Sequence, residues 1–545
     1  MTTPKIREVS RQPIIAVTAI SLLVATLTLH RLDAADVCGA NEAIEGVFVQ
    51  QMVEHGHYLF PLENGQTPMY KPPLFHWTAA ALARTAGTER VSPFYLRLPS
   101  ALYAIGAAAA VTTLAASMLG PEVAILSGLI LASSYQFISQ ARIGRVDMTL
   151  AFYETVVLFI FLWWMRRREA ALSTGDPLAK TASDWIQYLL AIALGLAVLA
   201  KGPVGAVLPL FAIAVYLLRV RSFRVGAALL SPGPVLLALG IGVSWYLACF
   251  LGRQMGFLNR QIGTENLGRF FGTLGTMKFS YYLKPILLNS APFSLLVPVA
   301  VVYAIYTLFR GARSSDQGAT QPSGERGETT PDAIVLFAIY WVITIAFFWI
   351  AAYKRRAYLL PLWPAAAIML GWFLVAMSRT SVIGSFSRFI PQAAAAVALA
   401  VIVFNFVYLP RHEIRQCGDD SMRRAAEQIL RVVGTDDPLY FYGRNIELAP
   451  LIFYLHRDLP VIEGKLGDAP PGYVLVPAEK WLSLKQDALD LEPVLKTGSG
   501  ATPLLLLHRG KAYAQFLSAR RTPMSSRLID CGFLPAPSTV LAEVL

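Results

Sequence analysis

The chain has 545 residues, of which 55% are hydrophobic and 15% are charged, and its formal net charge is +12. Soluble globular proteins carry about 25% charged residues, so this composition excludes an ordinary soluble enzyme and predicts a polytopic membrane protein. Lys and Arg in short cytoplasmic loops, together with attraction to anionic lipids, account for the positive charge. We therefore expect a lipid bilayer as a partner and no nucleic acid.

Long apolar runs recur over the first three quarters of the chain. The sequence predicts a mainly α-helical protein with about eleven to thirteen transmembrane helices, because a spanning helix needs roughly 20 mostly apolar residues. The predicted spans are residues 12–32, 96–118, 121–140, 147–165, 185–200, 203–220, 225–250, 285–309, 333–353, 357–378 and 388–409. The first span resembles a signal peptide, but only a poor cleavage site follows it, so we expect an uncleaved helix.

Arginine-rich loops indicate which ends of these spans face the cytoplasm. With the N-terminus inside, alternation of sides also places four basic loops inside, those with Arg166–Arg168, Arg219–Arg224, Arg310–Arg313 and Arg379–Arg388, as the positive-inside rule requires. The 310–332 loop is rich in Ser, Gly and Thr and is predicted to be a flexible cytoplasmic connection. The outer segments are then residues 33–95, residues 251–284 and the tail.

The outer segments have their own secondary-structure patterns. Apolar residues at helical spacing in NEAIEGVFVQQMVEHG (41–56) predict a helix that lies along the membrane surface. The tail alternates helical patterns near 420–433 and 447–456 with the strand-like PLYFYG, GYVLV and TPLLLL. We therefore predict a transmembrane domain at 1–410 and a small extracytoplasmic α/β domain at 411–545.

Cysteine and histidine usage gives two weaker indications. Cys249 lies in an apolar span, whereas Cys38, Cys417 and Cys531 lie in outer segments, where one pair could form a disulfide in a bacterial periplasm. The sequence does not choose the pair, and free thiols remain an alternative. The spacing of the histidines fits no zinc motif, so no metal site is predicted from His55, His57 and His76.

Several basic residues fall on the outer side, against the topological rule, near the carboxylates of Glu42 and Asp147. Asp147 begins a span, where a carboxylate either complements the helix dipole or faces a cavity, paired with Arg145 or Arg142. Lys201 lies between two apolar runs, where it either snorkels to the interface or binds an anion. A shared anionic lipid-linked ligand would require the outer charges to converge on one site. The other basic residues on this side are Lys71, Lys354, Arg355 and Arg356.

Six short motifs in order give the chain a family resemblance. NE…NG…YKPPLFHW, LRLPSAL, ARIGRVDM, KGPVG, ENLGRF and KRRAYLLPLWP resemble the GT-C superfamily of membrane glycosyltransferases. Within that superfamily the chain is most similar to bacterial 4-amino-4-deoxy-L-arabinose transferases, which are related to protein O-mannosyltransferases, and the resemblance covers roughly residues 10–410. It implies the GT-C architecture and transfer of a sugar from a polyprenyl (undecaprenyl) phosphate donor. It further implies an acceptor such as lipid A, or another membrane lipid or glycan, at the periplasmic face of a bacterial inner membrane.

The resemblance also implies roles for particular residues. Lys71, Arg269 and Tyr358 match donor-phosphate contacts, and Lys201 and Arg356 are plausible additions. Neighbouring outer-face residues are predicted to contact the substrates; these are Glu45, Tyr70, Arg145, Glu265, Asn266, Tyr281 and Tyr282.

The chain departs from the family pattern at two positions. Asn41-Glu42 replaces the usual Asp-Glu, and Tyr70 replaces a Glu before the lysine. Asn cannot serve as a general base, so Glu42 or Asp147 takes that role or little base is needed, as with an acceptor phosphate that is already ionised. No cofactor is implied, although a divalent cation near Glu42 and Asp147 remains an open prediction.

Three alternative functions remain open at the level of sequence. A lipid transporter would place charges in the middle of its spans and use broken, paired helices. A relative that binds polyprenyl lipid without transferring sugar would tolerate Asn41 and Tyr70. A protein O-glycosyltransferase of the same superfamily would use the same donor site with a protein acceptor.

Overall fold

The computed structural model describes residues 11–174, 177–289, 291–316, 331–380, 384–417, 422–443, 448–484, 491–498 and 503–509. Most of the loop predicted at 310–332 lies outside the described residues, as does Cys531.

Helices dominate the described chain. The α-helices are α1 Arg11–Leu29, α2 Ala40–His55, α3 Leu74–Thr85, α4 Pro93–Met118, α5 Pro121–Ser133, α6 Tyr135–Ala141, α7 Val146–Thr174, α8 Pro177–Lys201, α9 Val204–Arg219, α10 Phe223–Leu229, α11 Pro232–Leu251, α12 Met255–Leu258, α13 Arg269–Phe271, α14 Leu283–Asn289, α15 Leu296–Asp316, α16 Asp332–Ile350, α17 Leu362–Ser378, α18 Ile390–Cys417, α19 Met422–Val432, α20 Ala449–Leu455 and α21 Ala478–Leu484. The strands are β1 Leu62–Glu63, β2 Thr67–Pro68, β3 Leu439–Phe441, β4 Gly472–Pro477, β5 Leu491–Thr497 and β6 Leu504–Arg509.

The chain forms two compact units. The first comprises Met1–Leu32, Met69–Leu82 and Phe94–Leu409, and the second comprises Asp33–Pro68, Ala83–Pro93 and Pro410–Leu545. The sequence did not predict that much of the first outer loop groups with the tail. Hydrophobic periodicity identifies single elements, whereas the grouping depends on which distant elements pack together.

The first unit is a bundle of apolar helices. Among the described residues, seven helices are long and apolar enough to cross a membrane: Gln12–Leu29, Pro93–Met118, Val146–Ala171, Asp184–Lys201, Pro232–Leu251, Asp332–Ile350 and Phe386–Cys417. The bent pair α5 and α6 makes an eighth if the two helices together form one broken span. Three further predicted spans contain shorter apolar helices: Val204–Arg219, Leu296–Thr307 and Leu362–Ser378. Each predicted span thus contains a helix, and the protein is a mainly α polytopic membrane protein.

Proline limits one of the shorter helices. The span predicted at 357–378 begins as a 3-10 turn, Arg356–Leu359, and α17 starts only after Pro361. Proline lacks a backbone N–H, so it is favoured in the first turn of a helix, where that group has no intrahelical partner. The residues before Pro361 are therefore available to line a site instead of continuing the helix.

The bend between α5 and α6 is stabilised by a buried polar network. The two helices meet at an angle of 67°. The Gln136 side-chain oxygen accepts hydrogen bonds from Asn289 and from Trp363, each at 2.9 Å, and its amide donates to the Arg356 carbonyl at 2.5 Å. Buried polar groups need such partners. The network therefore ties the break to the segment that begins α17.

A buried arginine completes the end of α1. Arg142, 2% exposed, donates from its guanidinium to the backbone carbonyls of Leu27, Thr28, His30 and Arg31 at 2.8–3.3 Å. The last four carbonyls of a helix have no intrahelical partner, and a cation there also complements the helix dipole. Arg142 therefore fixes the loop from which Arg145 and Asp147 follow. The sequence had offered Arg142 as one alternative partner of Asp147, and the structure shows it bound to the end of α1.

The second unit contains a small four-stranded sheet. The strand order is β3-β4-β6-β5, with β3 and β4 parallel and the other two pairs antiparallel. The predicted α/β pattern of the tail is confirmed, although the sequence missed β5. A disulfide joins Cys38 to Cys417, which resolves the pairing that the sequence left open, and Cys249 is a buried free thiol.

The helix predicted at 41–56 is present as α2, but most of its surface is covered. It packs against α20 within the second unit, and Glu45 is fully buried while Glu42 is 8% exposed. The sequence predicted a helix that lies along the membrane surface. The small residues Ala43 and Gly46 are buried as well, so this helix has protein around more of its circumference than its pattern indicated.

Candidate functional site: a cationic cavity with an apolar wall

One cavity of about 390 Å³ gathers most of the charged residues that the sequence singled out. It lies within the first unit and is formed by five segments that are far apart in the chain. Five cationic and two acidic side chains line it: Lys71, Arg145, Lys201, Arg269, Arg355, Asp147 and Glu265. The outer charges therefore converge, as a shared anionic ligand requires.

Arg269 is held in place by its side chain and by its backbone. Its guanidinium donates to the Tyr358 hydroxyl at 2.8 Å and pairs with both Glu265 oxygens at 2.7 and 2.8 Å. Burial disfavours its charged form, but Tyr358 and Glu265 outweigh that effect and raise the pKa of Arg269 above its ordinary value. Its backbone carbonyl accepts a hydrogen bond from Tyr353 N at 3.0 Å. Arg269 is thus a permanent, oriented cation.

The segment before Arg269 has an unusual conformation. Asn259–Gly268 forms a ten-residue π-helix, which positions Gln261, Glu265 and Asn266 on the cavity. Wide helical turns of this kind are rare and often occur at functional sites. The Asn266 amide donates to the Gln261 carbonyl at 2.7 Å, which helps to hold the wide turn.

Asp147 is enclosed by cations. Its Oδ1 accepts a hydrogen bond from Lys201 Nζ at 2.5 Å, and its Oδ2 lies 3.4 Å from the Arg145 guanidinium. The Asp147 side chain is 3% exposed. Of the two sequence-based interpretations of Asp147, the structure supports a carboxylate that faces the cavity and pairs with Arg145. With both oxygens facing cations, this carboxylate is poorly suited to accept a proton from a substrate.

Tyr358 links the two halves of the cationic surface. Its hydroxyl accepts from Arg269, while Lys201 Nζ lies 4.7 Å from the centre of its ring. Phe348 stacks on the ring at a centroid distance of 5.1 Å. Cations are attracted to aromatic faces, especially in partly dehydrated sites. One tyrosine therefore sets the relative positions of Lys201 and Arg269.

Two further tyrosines arrange the remaining cations. Lys71 Nζ lies 4.8 Å from the Tyr70 ring centre. Arg269 and Arg355 lie 5.3 and 5.5 Å from the ring centre of Tyr353. The tyrosines separate like charges with neutral, polarisable surface, so several cations can share one cavity.

An apolar wall lies beside the charged surface. It consists of aliphatic and aromatic side chains from α9, α16 and the segment around α13: Pro203, Val204, Val207, Ile262, Leu267, Phe270, Phe271, Phe347, Phe348 and Ala351. Val207 and Phe271 are 53% and 73% exposed, so the wall continues onto the outer surface of the bundle. The cavity is thus suited to an anion that carries a long apolar group.

Gly202 allows the close approach of the π-helix. Its φ is +90°, and a Cβ atom there would lie 2.6 Å from the Gln261 side-chain nitrogen. A residue other than glycine is strained in this region of φ. This explains the glycine of KGPVG. With glycine at this position, α8 can end at Lys201 and the π-helix can pack closely against the chain at Gly202.

The predicted site residues fall into three groups. The cavity brings together Tyr70, Lys71, Arg145, Asp147, Lys201, Glu265, Asn266, Arg269 and Tyr358. Three others do not line it: Tyr281 and Tyr282 pack in or against the hydrophobic core, and the Arg356 side chain is exposed. The last three, Asn41, Glu42 and Glu45, belong to the second unit.

The sequence missed several residues of the cavity. Tyr353 and Gln261 line it without having been singled out, and Arg355, which the sequence named only as an outer charge, lines it in place of the predicted phosphate contact Arg356. Which of two adjacent arginines faces inward depends on the 3-10 turn that starts at Arg356, and no periodic pattern in KRRAY indicates that turn. A cluster of three His, Cys, Asp or Glu side chains suited to a metal ion is absent from the described ranges.

Part of the chain is similar in sequence to a known family and to a protein of another organism. The family model for dolichyl-phosphate-mannose-protein mannosyltransferases matches residues 50–251. An uncharacterized protein of Aquifex aeolicus is 26% identical over 66% of this chain, a match that spans only 64% of that relative's own length.

Two solved structures share the fold. The structure of ArnT from Cupriavidus metallidurans bound to undecaprenyl phosphate has a TM-score of 0.71 at 19% identity, over 92% of this chain and 100% of that one. An oligosaccharyltransferase of Archaeoglobus fulgidus, crystallised with Zn and sulfate, has a TM-score of 0.53 at 13% identity, over 89% of this chain and 72% of that one. The chain therefore has the fold of the GT-C glycosyltransferases that its motifs predicted, and its segment 50–251 matches the dolichyl-phosphate-mannose-protein mannosyltransferase family.

Proposed function

We propose that the protein is a membrane glycosyltransferase that takes a sugar from a polyprenyl phosphate donor. The observation that carries this proposal is the pairing, in one cavity, of five cationic side chains with an aliphatic and aromatic wall. A polyprenyl phosphate has the same two parts, an anionic headgroup and a long apolar chain. The structurally similar ArnT was crystallised with undecaprenyl phosphate, which supports the same lipid class here.

The cavity has the groups that this chemistry needs. Transfer breaks the bond between the anomeric carbon and a phosphate oxygen, and the electron pair leaves with the phosphate. Arg269 and Lys71 supply positive charge for that developing anion, and the Tyr358 hydroxyl is a neutral donor beside them. Because these groups are largely preorganised by Glu265 and by the aromatic rings, they need little rearrangement during the reaction.

The acceptor is most compatible with an ionised group. Both carboxylates that line the cavity face cations, so neither is well placed to deprotonate a hydroxyl. A phosphate of lipid A, or of another membrane lipid or glycan, is already ionised and needs no such base. Glu42, the other candidate base that the sequence offered, belongs to the second unit and is not among the residues that line this cavity.

We propose a bacterial inner membrane location with the cavity at the periplasmic side. The arginine-rich loops fall at alternate ends of the spans, which supports this orientation. The Cys38–Cys417 disulfide supports an oxidising compartment for the second unit.

Mass spectrometry of envelope lipids and glycans tests the function. A deletion strain is compared with strains complemented by wild type, Lys71→Ala and Arg253→Gln, an exposed arginine outside the cavity. A sugar mass that is lost on deletion and restored by wild type and Arg253→Gln, but not by Lys71→Ala, supports the proposal and names both substrates. An unchanged lipid and glycan profile argues against it, and a changed glycoprotein profile points to a protein acceptor.

The same variants, purified in nanodiscs, test the donor and any metal. The wild-type protein should bind undecaprenyl phosphate, and the Lys71→Ala variant should bind it more weakly. A divalent cation bound by Glu42 or Asp147 would make transfer sensitive to EDTA and recoverable with Mg²⁺ or Mn²⁺.

A further inference from the structure

We propose that Asp147 and Glu265 act as counter-ions that limit how tightly the cavity holds polyprenyl phosphate, and thereby control release of this product. The inference rests on the proposed function, because polyprenyl phosphate must be the leaving group. It assigns Asp147 a role other than the proton acceptor that the sequence suggested.

The geometry of Asp147 is that of a counter-ion. It is placed between Lys201 at 2.5 Å and Arg145 at 3.4 Å, and Lys71 lines the same cavity. Lys201 in turn lies over the ring of Tyr358, whose hydroxyl bonds Arg269. The negative charge of Asp147 is therefore next to the cations that would meet the phosphate.

Glu265 plays the matching part on the opposite segment. Its two oxygens lie 2.8 and 2.7 Å from the guanidinium of Arg269, which is four residues further along the chain. Each carboxylate thus neutralises part of the charge of a cation while orienting it. Together they reduce five positive charges in the cavity to a surplus of three.

Such a reduction matters because the lipid gains charge during the reaction. The donor is a phosphodiester with one negative charge, whereas the polyprenyl phosphate that remains is a monoester whose second pKa is about 6, so it approaches two charges at neutral pH. A purely cationic cavity would bind the product more tightly than the donor and would be inhibited by it. A fixed negative charge weakens binding of the dianion twice as strongly, on a logarithmic scale, as binding of the monoanion.

The test compares two defined lipids on purified full-length protein in nanodiscs. Undecaprenyl phosphate represents the dianionic product, and its methyl diester represents a monoanionic donor. A unit charge about 10 Å away, at an effective dielectric constant of about 20, changes affinity about tenfold for a monoanion and about a hundredfold for a dianion. Asp147→Asn should therefore tighten binding of the diester about tenfold and of the monoester about a hundredfold, and Glu265→Gln should act in the same direction.

A charge-restoring variant separates electrostatics from local distortion. Asp147→Asn combined with Lys201→Gln returns the cavity to its original net charge, so it should bind both lipids less tightly than Asp147→Asn alone, by about tenfold for the diester and about a hundredfold for the monoester. If Asp147→Asn does not fold, Glu265→Gln on the outer segment carries the same test.

The outcomes distinguish this inference from the proposed function. If wild type binds neither lipid, the proposed function itself fails. If wild type binds both but neither carboxylate variant binds more tightly, the counter-ion role alone is refuted. A proton-acceptor role for Asp147 instead predicts unchanged lipid affinities and loss of the acidic limb from the pH profile of transfer.

Discussion

Removal of the Arg269 charge is the most direct test of the cavity. A guanidinium about 4 Å from a phosphate is worth about 4 kcal/mol at an effective dielectric constant near 20. In Arg269→Gln that attraction is lost, and Glu265, now without its partner at 2.7 Å, would repel the phosphate. After allowance for water that fills the gap, we expect the Kd for undecaprenyl phosphate to rise by about a hundredfold.

Arg269→Lys gives a graded comparison. Lysine restores the charge but cannot donate to Tyr358 and to both Glu265 oxygens in one planar arrangement, so we expect a loss of about tenfold. The assay is lipid titration by native mass spectrometry, with thermal unfolding as a check on folding. Arg253→Gln, on an exposed position of the same unit, should leave Kd within about threefold of wild type. If Arg269→Gln also remained within about threefold while folded, the assignment of this cavity to the phosphate would be refuted.

Four further predictions follow from single contacts. Tyr358→Phe keeps the ring beneath Lys201 but loses the hydroxyl, so it should weaken lipid binding less than Tyr358→Leu, about tenfold against about a hundredfold. Arg142→Met leaves the last carbonyls of α1 unpaired and should lower the free energy of unfolding by about 3 kcal/mol, seen as a lower Tm in detergent. Gly202→Ala should displace the π-helix and weaken lipid binding by about tenfold; a crystal or cryo-EM structure with the π-helix unmoved would contradict this reasoning. Paired substitution of Cys38 and Cys417 by Ser should destabilise the second unit by about 2–5 kcal/mol, measured by its protease susceptibility against wild type with and without reductant.

The membrane architecture was readable from the sequence because its cause is local. A spanning helix must satisfy its backbone hydrogen bonds within one segment, so each apolar run of sufficient length indicates its own structure. The eleven predicted spans accordingly all contain helices, including those that proline shortens. Outer-face charges such as Asp147, Lys201 and Arg269 were also identifiable, because a charge near a membrane requires a compensating interaction.

The sequence could not specify which side chains contact each charged residue of the cavity. The sequence offered Arg145 or Arg142 as the partner of Asp147, and the positions of α7, α8 and the preceding loop revealed that its two oxygens face both Lys201 and Arg145. Arg355 and Arg356 are adjacent arginines that the sequence does not distinguish, and a single 3-10 turn decides which of them reaches the cavity.

Long-range pairing had to come from the tertiary structure for the same reason. The disulfide joins residues 379 positions apart, and Arg269 meets Tyr358 across 89 positions. Periodicity and composition report on neighbours within a few turns, whereas ion pairs and hydrogen bonds at 2.5–3.4 Å depend on how whole helices pack. Sequence alone therefore determined that this is a membrane protein with cationic residues at the ends of its spans, and the packing of its helices decided that several of these residues line one cavity with an apolar wall.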